Sequence, residues 1–405
     1  MNECLAWNRY EGIRNAKSEK QCMQMLRWNG FLTAEKGSES KRSLQMYEAC
    51  IYGMETLALY RNNIQLETDE TNRLMQRMLR DAARAVYCVG LEAAWIVFQY
   101  AGGGRIRICR IDPELRADRL LMQKVARSAQ AQTERRKRNQ SSSGNPMIGA
   151  DVEFLICSKR GFVIPADRIL PRQGKAGADA VYRRDRISYP IAEIRPKPAD
   201  EFDDAYRNLL EALQLADRRM PREDVIWMAG SMPKKGLPLG GHLHFSQVEL
   251  DPELIRALDN YLLLPLAMLE NEHGQIRRRR YGNPGDVRMK TYGFEYRSLP
   301  SWIICPLIAK GVIASAFLIA SRYAELTARP LLEPGVAAAF AQGDKVRLRH
   351  VCQTLWEDIS SIEGYAALKE VLEPFAERTL SGKEWDESKD IRMQWKTQFL
   401  LNFFN

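Results

Sequence analysis

Apolar residues recur every three or four positions through two long stretches in the first quarter of the chain. SLQMYEACIYGMETLALYRNNIQL and TNRLMQRMLRDAARAVYCVGLEAAWIVFQYA both have this spacing, which is typical of amphipathic helices. RIRICRI then alternates like a strand, and helical spacing returns from Pro113 to about Arg127. The pattern therefore predicts a mainly helical N-terminal region over residues 1–130.

A polar and basic segment follows this region. The stretch AQAQTERRKRNQSSSGNP is rich in serine, asparagine and arginine, and we interpret residues 131–146 as a basic flexible linker. Its run ERRKR is a candidate for contact with nucleic acid, but a solvated linker explains the run without any partner.

Strand-like and helical patterns alternate after Pro146. The segments GADVEFLIC, YPIAEIRP, VIWMAGS, GGHLHFSQV and KTYGFEYRSLP resemble strands, whereas DDAYRNLLEALQLADRR and PELIRALDNYLLLPLAMLEN have helical spacing. Asp251 followed by Pro252 is a favourable start for the second of these helices. Because no βαβ unit repeats, we predict an α+β domain with a largely antiparallel sheet over 147–325. A helical extension, packed on this domain, is predicted for 326–405.

Composition narrows the class of protein. The 405 residues are 45% hydrophobic and carry a formal net charge of +9, which favours anionic partners. The eight cysteines are scattered singly, as expected for reduced thiols in a cytoplasmic protein. The apolar stretch WIICPLIAKGVIASAFLIA contains Pro306 and Lys310, and a central lysine is costly in lipid. We therefore predict a buried core helix there, no signal peptide and no membrane contact.

Four of the predicted strands each carry two charged or titratable side chains at positions i and i+2, which share one face of a strand. These pairs are Asp151 and Glu153, Glu193 and Arg195, His242 and His244, and Glu295 and Arg297. A solvent-facing strand explains any single pair, but four pairs without lysine, threonine or serine are unusual for such a face. Groups of mixed charge are costly to desolvate unless they are paired or ligated. The pattern indicates a site for a cation and an anion that it bridges.

The ligand types favour particular ions. Carboxylates with imidazoles and no thiolate suit Mg²⁺ or Mn²⁺, and zinc is the alternative for the histidines. For the anion, the segment RRRRYGNPGDVRMKTYG supplies basic side chains that can hold phosphate oxygens. Arg280, Arg288 and Lys290 are our candidates, because a solvated turn explains Arg277–Arg279.

These segments also resemble a known family. GADVEFLI, AEIRPKP, AGSMPKKGLPLGGHLHF and YGFEYRSLPSWI, in this order, resemble the COOH–NH2 ligase-type amidoligases of phage and bacterial genomes, which are related to glutamine synthetase and glutamate–cysteine ligase. The resemblance covers about 145–322. It implies a glutamine synthetase-like domain whose curved antiparallel sheet binds ATP and two or three Mg²⁺ or Mn²⁺ ions.

The resemblance also implies a role for each residue. Asp151 and Glu153 take the place of two glutamates that bind different metal ions, and Glu193 binds the remaining ion. His242 and Glu295 are further metal ligands, and His244 lies nearer the nucleotide. Arg297 contacts the transferred phosphoryl group, and Arg195 contacts substrate or phosphate. The implied reaction joins a carboxylate to an amine through an acyl phosphate.

Alternative functions stay open at this point. The chain is also compatible with a catalytically degenerate member that binds a nucleotide or a peptide, or with a metal-dependent phosphoryltransferase. The expected partners are small-molecule or peptide carboxylates and amines, whereas nucleic acid is not expected. The N-terminal helices are candidates for forming a homo-oligomer or for binding a partner protein.

Overall fold

The computed structural model describes residues 7–34, 45–67, 72–102, 105–116, 118–142, 144–183, 186–220 and 224–401. Two compact units divide the chain. The first contains Met1–Arg138, Asn283–Gly285 and Arg329–Gln342, and the second contains Asn139–Gly282, Asp286–Ala328 and Gly343–Asn405.

The described residues in the first part of the chain form four helices and six strands. The helices are Tyr10–Lys17 (α1), Glu19–Trp28 (α2), Arg73–Val89 (α3) and Arg119–Ser141 (α4). The strands are Leu32–Thr33 (β1), Met46–Tyr52 (β2), Glu55–Arg61 (β3), Ile64–Leu66 (β4), Ala93–Tyr100 (β5) and Ile106–Asp112 (β6). The strands form one sheet in the order β1-β6-β5-β2-β3-β4.

The rest of the chain supplies a second sheet and most of the helices. The strands are Met147–Ser158 (β7), Ala176–Arg183 (β8), Arg186–Ile194 (β9), Val225–Met228 (β10), Gly241–Ser246 (β11), Val287–Lys290 (β12) and Gly293–Tyr296 (β13). The helices are Phe202–Arg219 (α5), Pro252–Leu258 (α6), Leu264–Ala267 (α7), Glu272–Arg278 (α8), Pro306–Arg322 (α9), Pro334–Gln342 (α10), Lys345–Ser361 (α11), Tyr365–Leu380 (α12) and Arg392–Leu401 (α13). Asp259–Leu263 forms a π-helical turn between α6 and α7.

Helices occupy more of the described N-terminal region than strands do, but the first of the two long predicted helices was wrong and the second was right only in its first part. The described residues 45–66 form β2, β3 and β4, and the second predicted helix ends at Val89, so that its remainder is β5. Ala49, Cys50 and Ile51 of β2 are all fully buried. A strand buried on both faces has no alternating pattern, and periodicity cannot distinguish it from a helix.

The predicted linker is helical over most of its length, because α4 continues to Ser141. Leu121 and Val125 of this helix pack into the apolar cluster around Trp95 of the first sheet. Further along the helix, Gln130 donates to Glu134 over 3.0 Å, a pairing that stabilises a helix. Tertiary packing and local pairing therefore favour the helix over the loop that its composition predicted. The two units divide between Arg138 and Asn139, within the range 131–146.

The second sheet has the order β12-β13-β11-β7-β9-β8, with β10 also paired to β7. Every strand pair in it is antiparallel, so the prediction of a curled, largely antiparallel sheet in an α+β fold is confirmed. One face is fully buried and carries Val152, Phe154, Leu243, Phe245 and Phe294. The opposite face carries the polar pairs.

Helices flank this sheet as the sequence pattern indicates. Asp251 caps α6 by accepting from the Glu253 N–H over 3.0 Å, and Pro252 is its first residue. The apolar stretch from Trp302 contains α9, which is almost entirely buried. None of the described helices combines the length and apolar character needed to cross a membrane. Of the predicted extension over 326–405, Arg329–Gln342 belongs to the first unit and Gly343–Asn405 to the second.

A buried arginine ties β11 to the chain that follows β13. The Arg277 guanidinium donates to the carbonyl oxygens of Leu239 (2.7 Å), Ser298 (3.1 Å) and Leu299 (2.7 Å). Its side chain is fully buried. Arg277 is therefore a structural residue that fixes the positions of two segments leading into the polar face.

We predict that Arg277→Lys lowers the free energy of unfolding by about 2–4 kcal/mol, because an ammonium group cannot reach all three carbonyl groups and leaves buried acceptors without donors. Urea unfolding at pH 7 measures the change. Arg280→Lys is the matched control, since Arg280 is exposed, and its effect should stay within about 0.5 kcal/mol. Equal stability of the two variants would contradict the structural role.

Candidate functional site

The register of the second sheet brings the four polar pairs onto one face. Residues directly opposite each other on neighbouring strands point to the same side of a sheet. The opposite positions are Asp151 with His242, Glu153 with Glu193, and His244 with Glu295. The face predicted from the i, i+2 spacing is therefore continuous across β9, β7, β11 and β13.

Carboxylates concentrate on the β7–β9–β8 side of this face. Ligand atoms of Asp151, Glu193 and His242 lie within 4.8 Å of one another, and so do those of Glu153, Asp179 and Glu193. Glu193 belongs to both groups. We call Asp151, Glu153, Asp179 and Glu193 the carboxylate cluster.

Asp179 was not identified from the sequence. It lies on β8, two residues after Gly177, which is directly opposite Glu193, so its carboxylate faces the cluster. The strand that carries it, AGADAVYR, has only one charged side chain before its terminal arginine. This strand has no pair of titratable side chains at i and i+2, so the pattern used for the other strands could not find it. The only signal in the sequence was one aspartate among small residues.

The two central glutamates have strongly raised pKa values. Burial raises the pKa of Glu193 to about 9, and the charges of Asp151, Glu153 and Asp179 add to the shift against the opposing effect of Arg195. Burial likewise raises the pKa of Glu153 to about 7, although the hydrogen bond from Gly240 lowers it. Both groups therefore keep their protons to a higher pH than an ordinary glutamate does, unless a cation compensates their charge.

Asp151 has a histidine as its nearest titratable neighbour instead. Its Oδ2 lies 3.0 Å from Nε2 of His244, whose other ring nitrogen contacts the Tyr292 hydroxyl. Burial raises the pKa of Asp151, but the contact with His244 outweighs burial, and the net pKa lies below its usual range. Asp151 therefore stays ionised more readily than Glu153 or Glu193.

Glu295 is surrounded by cationic groups. Arg297 pairs with its carboxylate, Lys290 lies 3.0 Å away and Arg288 lies 3.6 Å away. His242 Nδ1 is 3.3 Å from the same group. Burial raises the pKa of Glu295, but the positive charges outweigh burial and hold the pKa below its usual range. Arg288 and Lys290 are therefore brought to the site.

His242 is buried between two polar partners. Its Nδ1 faces Glu295, and its Nε2 lies 2.8 Å from the hydroxyl of Tyr281. Burial, together with Arg297 and Arg277, holds the pKa of His242 well below its usual range, so the imidazole is neutral. Tyr281 was not identified from the sequence, because it follows the run of arginines at the end of α8.

The two glycines before His242 are needed for close packing. A Cβ on Gly240 would lie 2.4 Å from His242 Nε2, and one on Gly241 would lie 2.4 Å from the Pro300 carbonyl oxygen. The Gly240 N–H also donates to Glu153 Oε2 over 2.6 Å. The segment GGHLHF thus brings bare backbone against the imidazole and the carboxylate.

The arginines of the sequence prediction have different positions. Arg195 pairs with Glu193 and keeps about a quarter of its side chain exposed, at 28%. Arg297 is more buried, at 13%, and its Nη2 donates to the Tyr281 hydroxyl over 2.5 Å. Arg280 is exposed, and none of the contacts described for residues 144–183, 186–220 and 224–401 joins its side chain to the site.

Comparison with protein families identifies the chain. A family model described as phage phiEco32-like COOH.NH2 ligase-type 2 matches residues 148–397, well over half of the sequence. The chain belongs to this family. The family resemblance drawn from the four sequence segments is therefore confirmed, while the relation to glutamine synthetase stays a prediction.

A solved structure is similar at a lower level. The crystal structure of a bifunctional glutathione synthetase from Pasteurella multocida matches with a TM-score of 0.41 and 14% sequence identity. The match covers 68% of this chain and 54% of that one, so the chain spans about half the length of that protein. At this TM-score the likeness says nothing about a shared activity. No curated protein sequence matches.

The donor set of this family member fits a hard divalent cation. The carboxylate cluster supplies oxygen ligands and His242 supplies one nitrogen, with no thiolate among the residues of either group, a combination that suits Mg²⁺ or Mn²⁺. The raised pKa values of Glu153 and Glu193 agree with a cation site. Carboxylates this close repel one another, and either protons or bound cations can remove the repulsion. The residues that would hold the ions are Asp151, Glu153, Asp179, Glu193 and His242.

We predict that Glu153 and Glu193 make the metal-free protein less stable as pH rises. The folded state keeps protons on Glu153 up to about pH 7 and on Glu193 up to about pH 9, whereas unfolded glutamates lose theirs near pH 4.3. Because the folded state binds more protons in this window, the free energy of unfolding falls with pH, by up to about 1.4 kcal/mol per pH unit for each group.

Urea unfolding in EDTA at pH 5.5, 7 and 8.5 measures this slope. Glu193→Gln keeps the size of the side chain, removes the titration and should flatten the slope. Glu211→Gln is the control, because Glu211 pairs with Lys175 at the surface, 3.3 Å away. Identical slopes in all three proteins would contradict the raised pKa of Glu193.

Proposed function

We propose that the protein is an ATP-dependent carboxylate–amine ligase that uses Mg²⁺ or Mn²⁺ and activates its carboxylate substrate as an acyl phosphate. The observation that carries the proposal is that one sheet face joins the carboxylate cluster to the cationic side chains around Glu295, which are Arg288, Lys290 and Arg297. Arg195 and Arg297 lie at the two ends of this arrangement, each paired with a glutamate. Membership of a COOH–NH2 ligase family supports the same reaction class.

The chemistry requires both kinds of group. A carboxylate is a poor electrophile, and transfer of the γ-phosphoryl group of ATP converts it into an acyl phosphate that an amine can attack. Divalent cations, when bound, neutralise the phosphate oxygens and the charge that develops on them. Two anions must approach each other, so fixed positive charges beside the cations lower the barrier further.

The protein's own residues divide this work. We assign the cations to the carboxylate cluster and His242. We assign Arg297 to the transferred phosphoryl group, because its guanidinium is held in place by Glu295 and Tyr281. Arg195, with its partly exposed guanidinium, is assigned to the substrate carboxylate or its phosphate.

The nucleotide is assigned to the β11–β13–β12 side of the face. His244, Arg288 and Lys290 lie there, and each has solvent access, with side-chain exposures of 15%, 45% and 30%. Glu295 contacts Arg288, Lys290 and His242, and the groups around its carboxylate are mainly cationic. We therefore assign it to positioning these groups as much as to binding an ion. Arg280 has no part in this assignment.

The substrates are proposed as a small-molecule or peptide carboxylate and an amine. We place the reaction in the cytoplasm, which supplies ATP and keeps cysteines reduced. None of the seven described cysteines is in a disulfide. Oligomer formation or partner binding through the N-terminal unit stays a prediction.

Release of ADP in the presence of Mg²⁺, with pools of carboxylates and amines added in pairs, tests the proposal. The expected result is ADP release that needs the cation and both substrates, with a condensation product detected by mass spectrometry. A phosphorylated product without condensation would identify a phosphoryltransferase. Tight ATP binding without any ADP release would identify a binding protein. Either result would overturn the ligase assignment.

We predict that Asp179→Asn lowers the rate of ADP release at limiting Mg²⁺ by at least about tenfold and that high Mg²⁺ restores part of it, because the amide removes the charge that a hard cation binds. Asp167→Asn is the control: Asp167 faces Arg172 at 4.0 Å on the surface. A loss for Asp179→Asn that is the same at every Mg²⁺ concentration, or no loss, would exclude Asp179 from the cation site.

A further inference from the structure

The hydroxyl of Tyr281 lies between a guanidinium and an imidazole. Arg297 Nη2 donates to it over 2.5 Å, and His242 Nε2 lies 2.8 Å from it. A guanidinium has donors and no acceptor. The oxygen of Tyr281 is therefore the acceptor from Arg297, and the proton of the hydroxyl is available to His242.

The other side of the imidazole fixes its tautomer. Nδ1 of His242 lies 3.3 Å from Glu295 Oε1, and Arg297 pairs with the same carboxylate. A proton on Nδ1 gives Glu295 a donor, whereas the opposite tautomer would place a lone pair against a carboxylate oxygen. Nδ1 therefore carries the proton, and the lone pair of Nε2 accepts from Tyr281. Hydrogen bonds join Glu295 to Arg297, Arg297 to Tyr281 and Tyr281 to His242, and the 3.3 Å contact between His242 and Glu295 closes the ring.

This ring uses the one lone pair that His242 can offer. A neutral imidazole has a single unprotonated nitrogen, and that nitrogen is the one that binds a cation. A ligand nitrogen of His242 lies within 4.8 Å of carboxylate oxygens of Asp151 and Glu193. Because Nδ1 carries the proton, a cation held by these three residues would bind through Nε2 and would compete with the Tyr281 hydroxyl for that nitrogen.

We propose that Tyr281 regulates cation binding: its hydroxyl occupies Nε2 of His242 in the cation-free site, and an arriving divalent cation displaces it. Glu295 then acts as the partner that orients His242 through Nδ1–H, an arrangement common around metal-binding histidines. Tyr281 is a positioning residue, since it acts through His242. This inference rests on the proposed cation dependence of the site.

Titration of the metal-free protein with Mn²⁺, without ATP, tests it; electron paramagnetic resonance measures the free ion. Tyr281→Phe keeps the ring and removes the hydroxyl, so the dissociation constant for Mn²⁺ should fall by about three- to tenfold, the size of one neutral hydrogen bond. In a His242→Gln background the same substitution should change it by less than about twofold.

Tyr206→Phe is the control for the chemical change. The Tyr206 hydroxyl is buried without a hydrogen-bond partner among the described residues, and its ring stacks on Phe202 and Trp395. It should leave the affinity for Mn²⁺ unchanged. Equal or weaker affinity in Tyr281→Phe than in the wild-type protein would overturn the inference.

A second measurement, ¹⁵N nuclear magnetic resonance of the wild-type protein, needs no Tyr281 variant and reports the tautomer of His242. The chain has four histidines, and the signals of His242 are assigned by their loss in His242→Gln. We expect the Nδ1–H form without cation and a shift of Nε2 on addition of Mg²⁺. An Nε2–H tautomer would overturn the inference.

The affinity of the wild-type protein for Mn²⁺ distinguishes the proposed cation dependence from the role of Tyr281. Wild-type protein that binds no Mn²⁺ would overturn the proposed cation dependence, and the role of Tyr281 with it. Wild-type protein that binds Mn²⁺ with the same affinity as Tyr281→Phe would overturn the role of Tyr281 alone.

Discussion

Placing four carboxylates together on one face of a sheet is the constraint around which this unit is built. Each ionised group loses hydration when it is buried, and each raises the energy of the others. The protein meets this cost in two ways. Glu153 and Glu193 have raised pKa values, whereas Asp151 is compensated by His244. The face is therefore a set of negative charges that are only partly neutralised.

The same constraint divides the sheet into two halves. β7, β9 and β8 carry the carboxylate cluster, and β11, β13 and β12 carry the histidines, Arg288, Lys290 and Arg297 around Glu295. A ligand that contains both cations and phosphate groups would match this division, since its cations would meet the acidic half and its phosphates would meet the basic half. The order of the strands produces the complementarity, with β7 beside β11 at the boundary.

The sequence predicted the acidic face well because strand geometry has a fixed period of two. Any strand with a titratable pair at i and i+2 reveals which residues share a face, and four such pairs were found. The two-residue period does not predict which strands are neighbours. It also does not identify a residue that is the only titratable one its segment contributes to the face. Asp179 and Tyr281 were missed for that reason. The sheet of the N-terminal region was missed because β2 is buried on both faces, which removes the alternation on which the prediction depends.

The run RRRR from Arg277 shows why a cluster of charges in sequence is weak evidence for a patch in space. Helix α8 ends at Arg278, and the four guanidinium groups separate into two environments. Arg277 donates to three backbone carbonyl groups, and Arg278 pairs with the buried Glu270, while Arg279 and Arg280 face solvent. The turn is better understood as the support of Tyr281, which follows it directly. Two buried arginines fix the backbone there, so that one phenol can meet the imidazole and the guanidinium at the centre of the site.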